Sequence, residues 1–213
     1  MNTTQIRDLI EFELRKKEWA ITEQLLEIHS PIFEKKKLKI AKIRKNRKEI
    51  IVYLPVENEN FYFVFFISRK TNKIEGISTE SYISIYFRAT TDKLSFKELK
   101  ELTSLKPSNG WNKGDLRHGK IKYKFSSFIF ELNSEPDTFE NKLSKLLRKL
   151  YSHKSEIMKM NKKAFCIIQV WTELHNGNNM IGGTHLNLEH ISKLHSLGLE
   201  IDFDQYISGK KYK

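Results

Sequence analysis

The sequence contains little that would support covalent, metal or cofactor chemistry. Its one cysteine among 213 residues, Cys166, cannot form a disulfide within the chain and lies in the apolar run AFCIIQVW. In such a run a cysteine more often serves as a small buried side chain than as a reactive thiol. The chain also lacks an HExxH motif, a Cys–His ligand spacing, a GK[ST] phosphate loop and a Gly-x-Ser-x-Gly elbow. We therefore expect no catalytic residues, no metal and no cofactor, and a protein that is not an enzyme.

Long apolar runs are missing as well. No stretch approaches the roughly 18 apolar residues that cross a bilayer, and charges recur throughout Met1 to Trp19. We expect no transmembrane helix, no signal peptide, no membrane partner and a cytoplasmic location. Hydrophobic residues make up 39% of the chain. That share is enough to fill a core, so the composition excludes a disordered protein.

Acidic residues are absent from Lys35–Lys48, which holds nine lysines and arginines, and residues 208–213 hold three more lysines. Without these twelve, the remaining 26 basic residues equal the 26 acidic ones, so the formal net charge of +12 is local. Such a segment can bind phosphates or an acidic partner. It can also be the solvated side of an edge strand, where lysine discourages pairing between sheets. No aromatic residue lies between Phe33 and Tyr53 to stack on bases, which favours the edge strand.

The first part of the chain predicts a long helix followed by a β-meander. Apolar residues recur every four positions from Ile6, after a cap at Thr3 or Thr4, and the stripe resumes as far as Ile28. This pattern predicts one helix of about 37 Å. IIVYLPV and FYFVFFI then predict two strands, and IEGIST and ESYISIYFRAT extend the meander. Because FYFVFFI is apolar at every position, we expect it to be central and covered on both faces.

In the rest of the chain, short sequence motifs mark where helices begin and end. Ser95 with Glu98 and Asp137 with Glu140 are capping boxes, and the second opens a leucine-striped helix that runs, whole or broken, toward Met160. Asn187 can cap the last helix, and Gly198 can end it. In KYKFSSFIFEL the inward-facing parity changes, which predicts a β-bulge at Ser126–Ser127. In LGLEIDFDQY apolar and acidic residues alternate, as on a half-buried strand.

Two groups of polar residues contain side chains of the kind that hold metals or transfer protons. His185, His190 and His195 are spaced by five residues, and each step of five turns about 140° around a helix, so the three cannot meet at one ion. His175 could approach from the preceding connection. Three carboxylates share one face of the closing strand: Glu200, Asp202 and Asp204. They could hold a cation or act as an acid and base pair. They could also meet a basic partner, and a solvated face is the expected role.

From about Tyr82 to Ile207 the chain carries these segments in order: a strand ending near Arg88, ELTSLKPSNGWNKGD, FSSFIFEL, ENKLSKLLRKLYSHKSEIMKM, AFCIIQVW and HLNLEHISKLHSLGLEIDFDQYI. In this order and in its closing LGLEIDFDQY, the chain resembles the bacterial domain-of-unknown-function family numbered forty-two seventy-nine. The resemblance implies an α+β fold, with an antiparallel or mixed β-sheet and helices packed on one side, here preceded by the long N-terminal helix and the β-meander. We expect an N-terminal extension over 1–78, the α+β domain over 79–207 and a basic tail over 208–213.

The resemblance brings no catalytic residues, because none are established for that family. Small bacterial domains of this kind are similar in build and genomic setting to immunity proteins, so the resemblance implies by analogy a non-catalytic, immunity-type protein that neutralises a cognate bacterial toxin by protein–protein interaction. The side chains expected to contact that toxin are Tyr82, Tyr86, Arg88, Trp111, Glu200, Asp202 and Asp204. The alternative is a nucleic-acid-binding or regulatory module that uses Lys35, Lys36, Lys37, Lys39, Arg44, Lys45 and Arg47.

Overall fold

The computed structural model describes residues 1–132, 134–175 and 183–210. It confirms the α+β class. The described residues form two compact units: the first draws on residues 1–82, 173–175 and 205–210, and the second on residues 83–132, 134–172 and 183–204. Most of the HNGNNMIGG segment, and residues 211–213 of the predicted basic tail, lie outside the described residues.

The helices are α1 (Thr3–Lys16), α2 (Ala20–Leu26), α3 (Phe96–Glu101), α4 (Phe139–Tyr151), α5 (Lys154–Asn161) and α6 (Leu188–Leu197). The strands are β1 (Phe33–Glu34), β2 (Lys37–Leu38), β3 (Lys42–Lys45), β4 (Glu49–Pro55), β5 (Phe61–Ser68), β6 (Ile74–Thr91), β7 (Asn109–Trp111), β8 (Leu116–His118), β9 (Ile121–Lys122), β10 (Ser126–Glu131), β11 (Phe165–His175) and β12 (Glu200–Ser208).

In the first unit, β3, β4, β5 and the first half of β6 are antiparallel neighbours in that order. β5 is central and mostly buried along both faces, as its continuous apolar sequence predicts. β3 lies at the edge, as the alternating lysines predict. Ile6 and Ile10 of α1 and Leu25 of α2 are buried in the same core cluster as the apolar residues of β4 and β5. Burying each of these side chains stabilises the fold by about 2 kcal/mol.

The N-terminal helical region is two helices, so the prediction of one helix to Ile28 is wrong. α1 ends at Lys16 because Lys17 has a left-handed backbone, with φ of 54°. The N–H of Trp19 then donates to the carboxylate of Glu13 at 3.2 Å, in place of a carbonyl in the preceding turn. The start is also shifted, because Asn2 caps α1 in a capping box with Gln5.

In the second unit, β7, β10 and the second half of β6 are antiparallel neighbours, β11 lies beside β6, and β12 lies beside β11. Four helices, α3 to α6, contribute to one core with these strands. That core includes Phe87 of β6, Phe128 of β10, Leu143 of α4 and Ile168 of β11. The helices thus pack on one side of the sheet. Among the described residues, no helix combines the length and the apolar content that a bilayer crossing requires.

The predicted bulge at Ser126–Ser127 is absent from β10, whose residues from Ser126 to Glu131 pair with Thr91 to Tyr86 in unbroken register. The parity of the apolar residues changes for a simpler reason: β10 begins at Ser126, and Tyr123 and Phe125 lie before it.

Most predicted helix boundaries are confirmed. Ser95 and Glu98 form the capping box of α3, Asn187 caps α6 by accepting from the N–H of His190, and Gly198 ends α6 with φ of 65°. The cap of α4 is one residue later than predicted. Thr138 accepts from the N–H of Asn141, while Asp137 accepts from the Asn141 side chain and pairs with Lys145.

Candidate functional site

The second unit's sheet has one face against helices α3 to α6, and we call the opposite face the helix-distal face. Successive side chains of a strand point to opposite faces. Since Phe87, Phe128 and Ile168 point to the helices, their chain neighbours point away. Paired residues share a face, and Ser127 lies opposite both Thr90 and Trp111. The helix-distal face therefore carries Tyr86, Arg88, Trp111, Ser127, Gln169, Glu200, Asp202 and Asp204.

One edge of this face is acidic and held in place by a buried amide. The side-chain nitrogen of Gln169 donates to Asp202 at 3.2 Å and to Asp204 at 3.1 Å. Gln169 is only 1% exposed, whereas both aspartates are exposed. The amide therefore fixes two neighbouring carboxylates and leaves their remaining lone pairs directed to solvent. The result is a preorganised negative edge.

The helix-distal face also holds buried polar atoms that have no hydrogen-bond partner among the described residues. They are Nε of Arg88, Nε1 of Trp111, Oγ of Ser127 and Oε1 of Gln169. Leaving such an atom unpaired and buried costs about 1–3 kcal/mol. Neighbouring parts of the chain already cover these atoms, so bound water is the partner that can satisfy them without a rearrangement.

Trp111 is supported by aromatic residues from the loop that follows it. Its ring stacks on Tyr123 with 4.3 Å between the ring centroids and lies 6.5 Å from the ring of Phe125. The small hairpin of β8 and β9 that leads to these residues exposes two apolar side chains, Leu116 at 66% and Ile121 at 63%. The stack fixes the indole, while the hairpin offers apolar surface to solvent.

Six of the seven residues predicted to contact a partner lie in the second unit, and all six are on the helix-distal face: Tyr86, Arg88, Trp111, Glu200, Asp202 and Asp204. Tyr82 lies in the same strand, β6, but belongs to the first unit. Their roles stay predictions. The alternation of apolar and polar residues along β6 could place Tyr86 and Arg88 on one face. No pattern in the sequence marks Ser127 or Gln169, whose burial only the structure shows.

The basic residues of the alternative prediction fall into two groups within the first unit. Lys35 and Lys36 form the tip of the β1–β2 hairpin with φ of 49° and 65°, and Lys37 and Lys39 follow. The second group is Arg44 and Lys45 in β3, with Arg47 in the turn after it. Two of these basic side chains already bind acceptors within the chain. Lys39 pairs with Glu34 at 2.7 Å, and Lys45 donates to the carbonyl of Met1 at 3.1 Å.

His190 and Cys166 are buried structural groups. His190 lies within 2.7 Å of the Ser144 hydroxyl, and burial lowers its pKa below the ordinary value. Burial raises the pKa of the Cys166 thiol to about 12, which keeps it protonated. His195 is exposed near the end of α6.

A group missed at the sequence level is His29, Glu59 and His175 of the first unit. One ligand atom from each lies within 4.8 Å of the others. These residues come from three distant segments, so no spacing motif marks them. The only available signal was His175 itself, at the end of a buried strand.

Comparison with known proteins identifies the family of the chain. The family model described as a domain of unknown function, DUF4279, matches residues 79–208. The chain therefore belongs to the DUF4279 family. No match was found among curated proteins or among solved structures.

Proposed function

We propose that this protein is a non-catalytic binding protein of the immunity type, which neutralises a cognate bacterial toxin by covering it with the helix-distal face. The observation that supports this most is the position of Arg88 and Trp111 on that face, where both residues are half-buried. Arginine and tryptophan are the side chains most enriched at the energetic centres of protein interfaces.

The acidic edge indicates the chemistry of the partner. Asp202 and Asp204 are held side by side by Gln169, so the partner surface that meets them should be basic. A toxin that acts on nucleic acid has such a surface, because its site binds phosphates. The chain as a whole is basic, with a formal net charge of +12. The attraction would therefore be local to this edge.

The test is co-expression with the toxin encoded beside this gene. Wild-type protein should restore growth and co-elute with the toxin in one complex. Replacing the indole (Trp111→Ala) or the guanidinium (Arg88→Ala) should each weaken the complex about 30-fold or more, as hot-spot truncations of about 2 kcal/mol do. No toxin gene beside this one, or no protection by the wild-type protein, would contradict the proposal.

The matched control is Trp19→Ala. Trp19 is also a partly exposed tryptophan, but it precedes α2 in the first unit and lies outside the helix-distal face. This variant should protect as well as the wild type. If Trp19→Ala and Trp111→Ala fail equally, the defect is not specific to the helix-distal face.

A second candidate function is nucleic-acid binding by the β1–β2 hairpin. A groove of about 690 Å³ is lined there by Arg7 and several lysines, among them Lys35, with Glu34 as its one carboxylate. Such a groove suits a phosphate backbone.

Binding of a fluorescent DNA duplex and of a single strand, measured from 50 to 200 mM salt, tests this candidate. Affinity that falls steeply with salt and vanishes when the seven basic residues are replaced would support it. Unchanged binding in that variant would contradict it. The seven residues are Lys35, Lys36, Lys37, Lys39, Arg44, Lys45 and Arg47.

A further inference from the structure

We propose that His29, Glu59 and His175 bind a zinc ion in the first unit. All three ligand atoms lie within 4.8 Å of one another, and Nδ1 of His29 is 3.8 Å from Oε1 of Glu59. Two imidazoles and one carboxylate are a ligand set that zinc accepts at bond lengths of about 2.0–2.2 Å, with a fourth position left to water. To reach these bond lengths around one ion, each of the three ligand atoms must move toward the centre of the group by about 1 Å.

Burial shows that these groups are not an ordinary polar surface. The side chain of His29 is 0% exposed and that of Glu59 is 5% exposed. Taking a carboxylate out of water is costly unless a cation or several hydrogen bonds compensate. A divalent ion between the carboxylate and the two imidazoles would supply that compensation.

A metal binds the neutral form of imidazole, whose lone pair is available to it. Burial disfavours the charged form of both rings, and it is the main cause that lowers the pKa of His29 to about 4 and lowers the pKa of His175 below its ordinary value.

The chain around Lys210 orients two of the three ligands. The backbone N–H of Lys210 donates to Oε1 of Glu59 at 3.3 Å, and His175 makes a hydrogen bond with the Lys210 backbone. Metal-binding histidines commonly donate their second ring nitrogen to a carbonyl, which fixes the ring and its tautomer. The neighbouring Gly209 has φ of 94°, and a Cβ there would lie 2.5 Å from Oε2 of Glu59. Only glycine lets the backbone approach this closely.

A competing explanation is that His29 is simply a core aromatic residue. Its ring makes edge contacts with Phe61 and Phe63, with 5.1 and 6.2 Å between ring centroids, and with His175 at 4.5 Å. Packing explains the burial of the ring. Packing also accounts for the second ring, because the ring centroids of His175 and Phe61 are 4.4 Å apart. It does not explain why a buried carboxylate, that of Glu59, converges on the two imidazoles.

One nearby positive charge should weaken zinc binding, so its removal should strengthen binding. The ammonium of Lys210 donates to the carbonyl of Ile28, and its charge acts on His29. Replacing it by an uncharged side chain of similar length (Lys210→Met) should remove repulsion and strengthen zinc binding several-fold. A role of the cluster in packing alone predicts no such gain.

The experiment uses the full chain, stripped with a chelator and titrated with Zn²⁺ against a chromophoric chelator, with Co²⁺ as the spectroscopic probe. We expect one zinc per chain, a visible Co²⁺ absorption band, and a higher Tm with zinc. Glu59→Gln and His175→Gln should weaken binding about 100-fold. His195→Gln, which changes an exposed histidine outside the cluster, should leave it unchanged.

Each result decides the proposal. No zinc bound by the wild-type chain, equal binding by the ligand variants, or no gain in Lys210→Met would overturn it. If the ligand variants fail to fold, the wild-type Co²⁺ band and the Lys210→Met comparison still decide, because both use chains with all three ligands present.

Discussion

The buried amide of Gln169 donates to the carboxylate of Asp204 on the neighbouring strand at 3.1 Å, and the same nitrogen lies 3.2 Å from Asp202. One neutral side chain therefore holds two negative charges together. Its other atom, Oε1, has no partner among the described residues. The pair shows how the second unit builds a fixed acidic edge from a strand pattern that would otherwise be only a solvated face.

Replacing this amide by a carboxylate (Gln169→Glu) should destabilise the fold by about 3 kcal/mol at pH 7.5, because a third, buried charge would face two carboxylates. Burial and repulsion raise the pKa of the new carboxyl group in the folded state. Stability is therefore lost as pH rises above the pKa that this group has in the unfolded state. Urea unfolding at pH 7.5 and 5.0 should show the larger loss at pH 7.5.

The control for that change is Gln169→Leu, which removes the hydrogen bonds without adding charge. It should cost about 1 kcal/mol at both pH values. If Gln169→Glu and Gln169→Leu lose the same free energy of unfolding, the added charge is not the cause of the loss.

Gly110 allows β7 to approach both β10 and α3. A Cβ at this position would lie 2.7 Å from the backbone oxygen of Ser127 and would overlap the ring of Phe96. Gly110→Ala should therefore destabilise the protein by about 1–3 kcal/mol. Gly76→Ala, where the new methyl meets only ordinary contact with Phe66, is the control and should change the urea midpoint far less.

His190 should make stability depend on pH. Its folded pKa is lowered, mainly by burial; Glu189 and Glu140 raise it, while Lys193 and His185 lower it. A histidine with a lowered folded pKa stabilises the fold fully above its ordinary pKa of 6.5, and that contribution is lost as pH falls from 6.5 toward the folded pKa. Urea unfolding between pH 7.5 and 5.0 should give a flatter profile for His190→Gln. Identical slopes would contradict this.

Cys166 should be inert while the chain is folded. With its pKa raised to about 12, the thiolate fraction at pH 8 is about a thousandfold below that of a free thiol. Reaction with a chromogenic disulfide reagent should be slow in buffer and fast in urea. Rapid reaction in buffer would show that β11 opens readily.

Local sequence patterns predicted the elements whose causes are local. The apolar run of β5, the box of Ser95 with Glu98 and the αL glycine Gly198 are as expected. The break after α1 was missed because a left-handed lysine costs about 1–2 kcal/mol and is offset by the Glu13–Trp19 bond, which the sequence does not display. The bulge was wrong because the start of β10 was placed too early.

The candidate sites divide in the same way. Tyr86, Arg88 and the acidic edge could be placed on one face from the sequence, because alternate residues of a strand share a face. The group of His29, Glu59 and His175 forms only when distant segments fold together, so spacing along the chain could not predict it.

The most direct test of partner binding by the helix-distal face uses two double variants, each of which reverses two charges. Calorimetry measures the affinity of each variant for the toxin encoded beside this gene. Asp202→Lys with Asp204→Lys reverses the acidic edge and should weaken binding at least about 100-fold. Glu101→Lys with Glu189→Lys makes the same change in charge at exposed residues of α3 and α6, on the helix side of the sheet, and should bind like the wild type. Equal affinities for the two variants would contradict the assignment of this face as the binding surface.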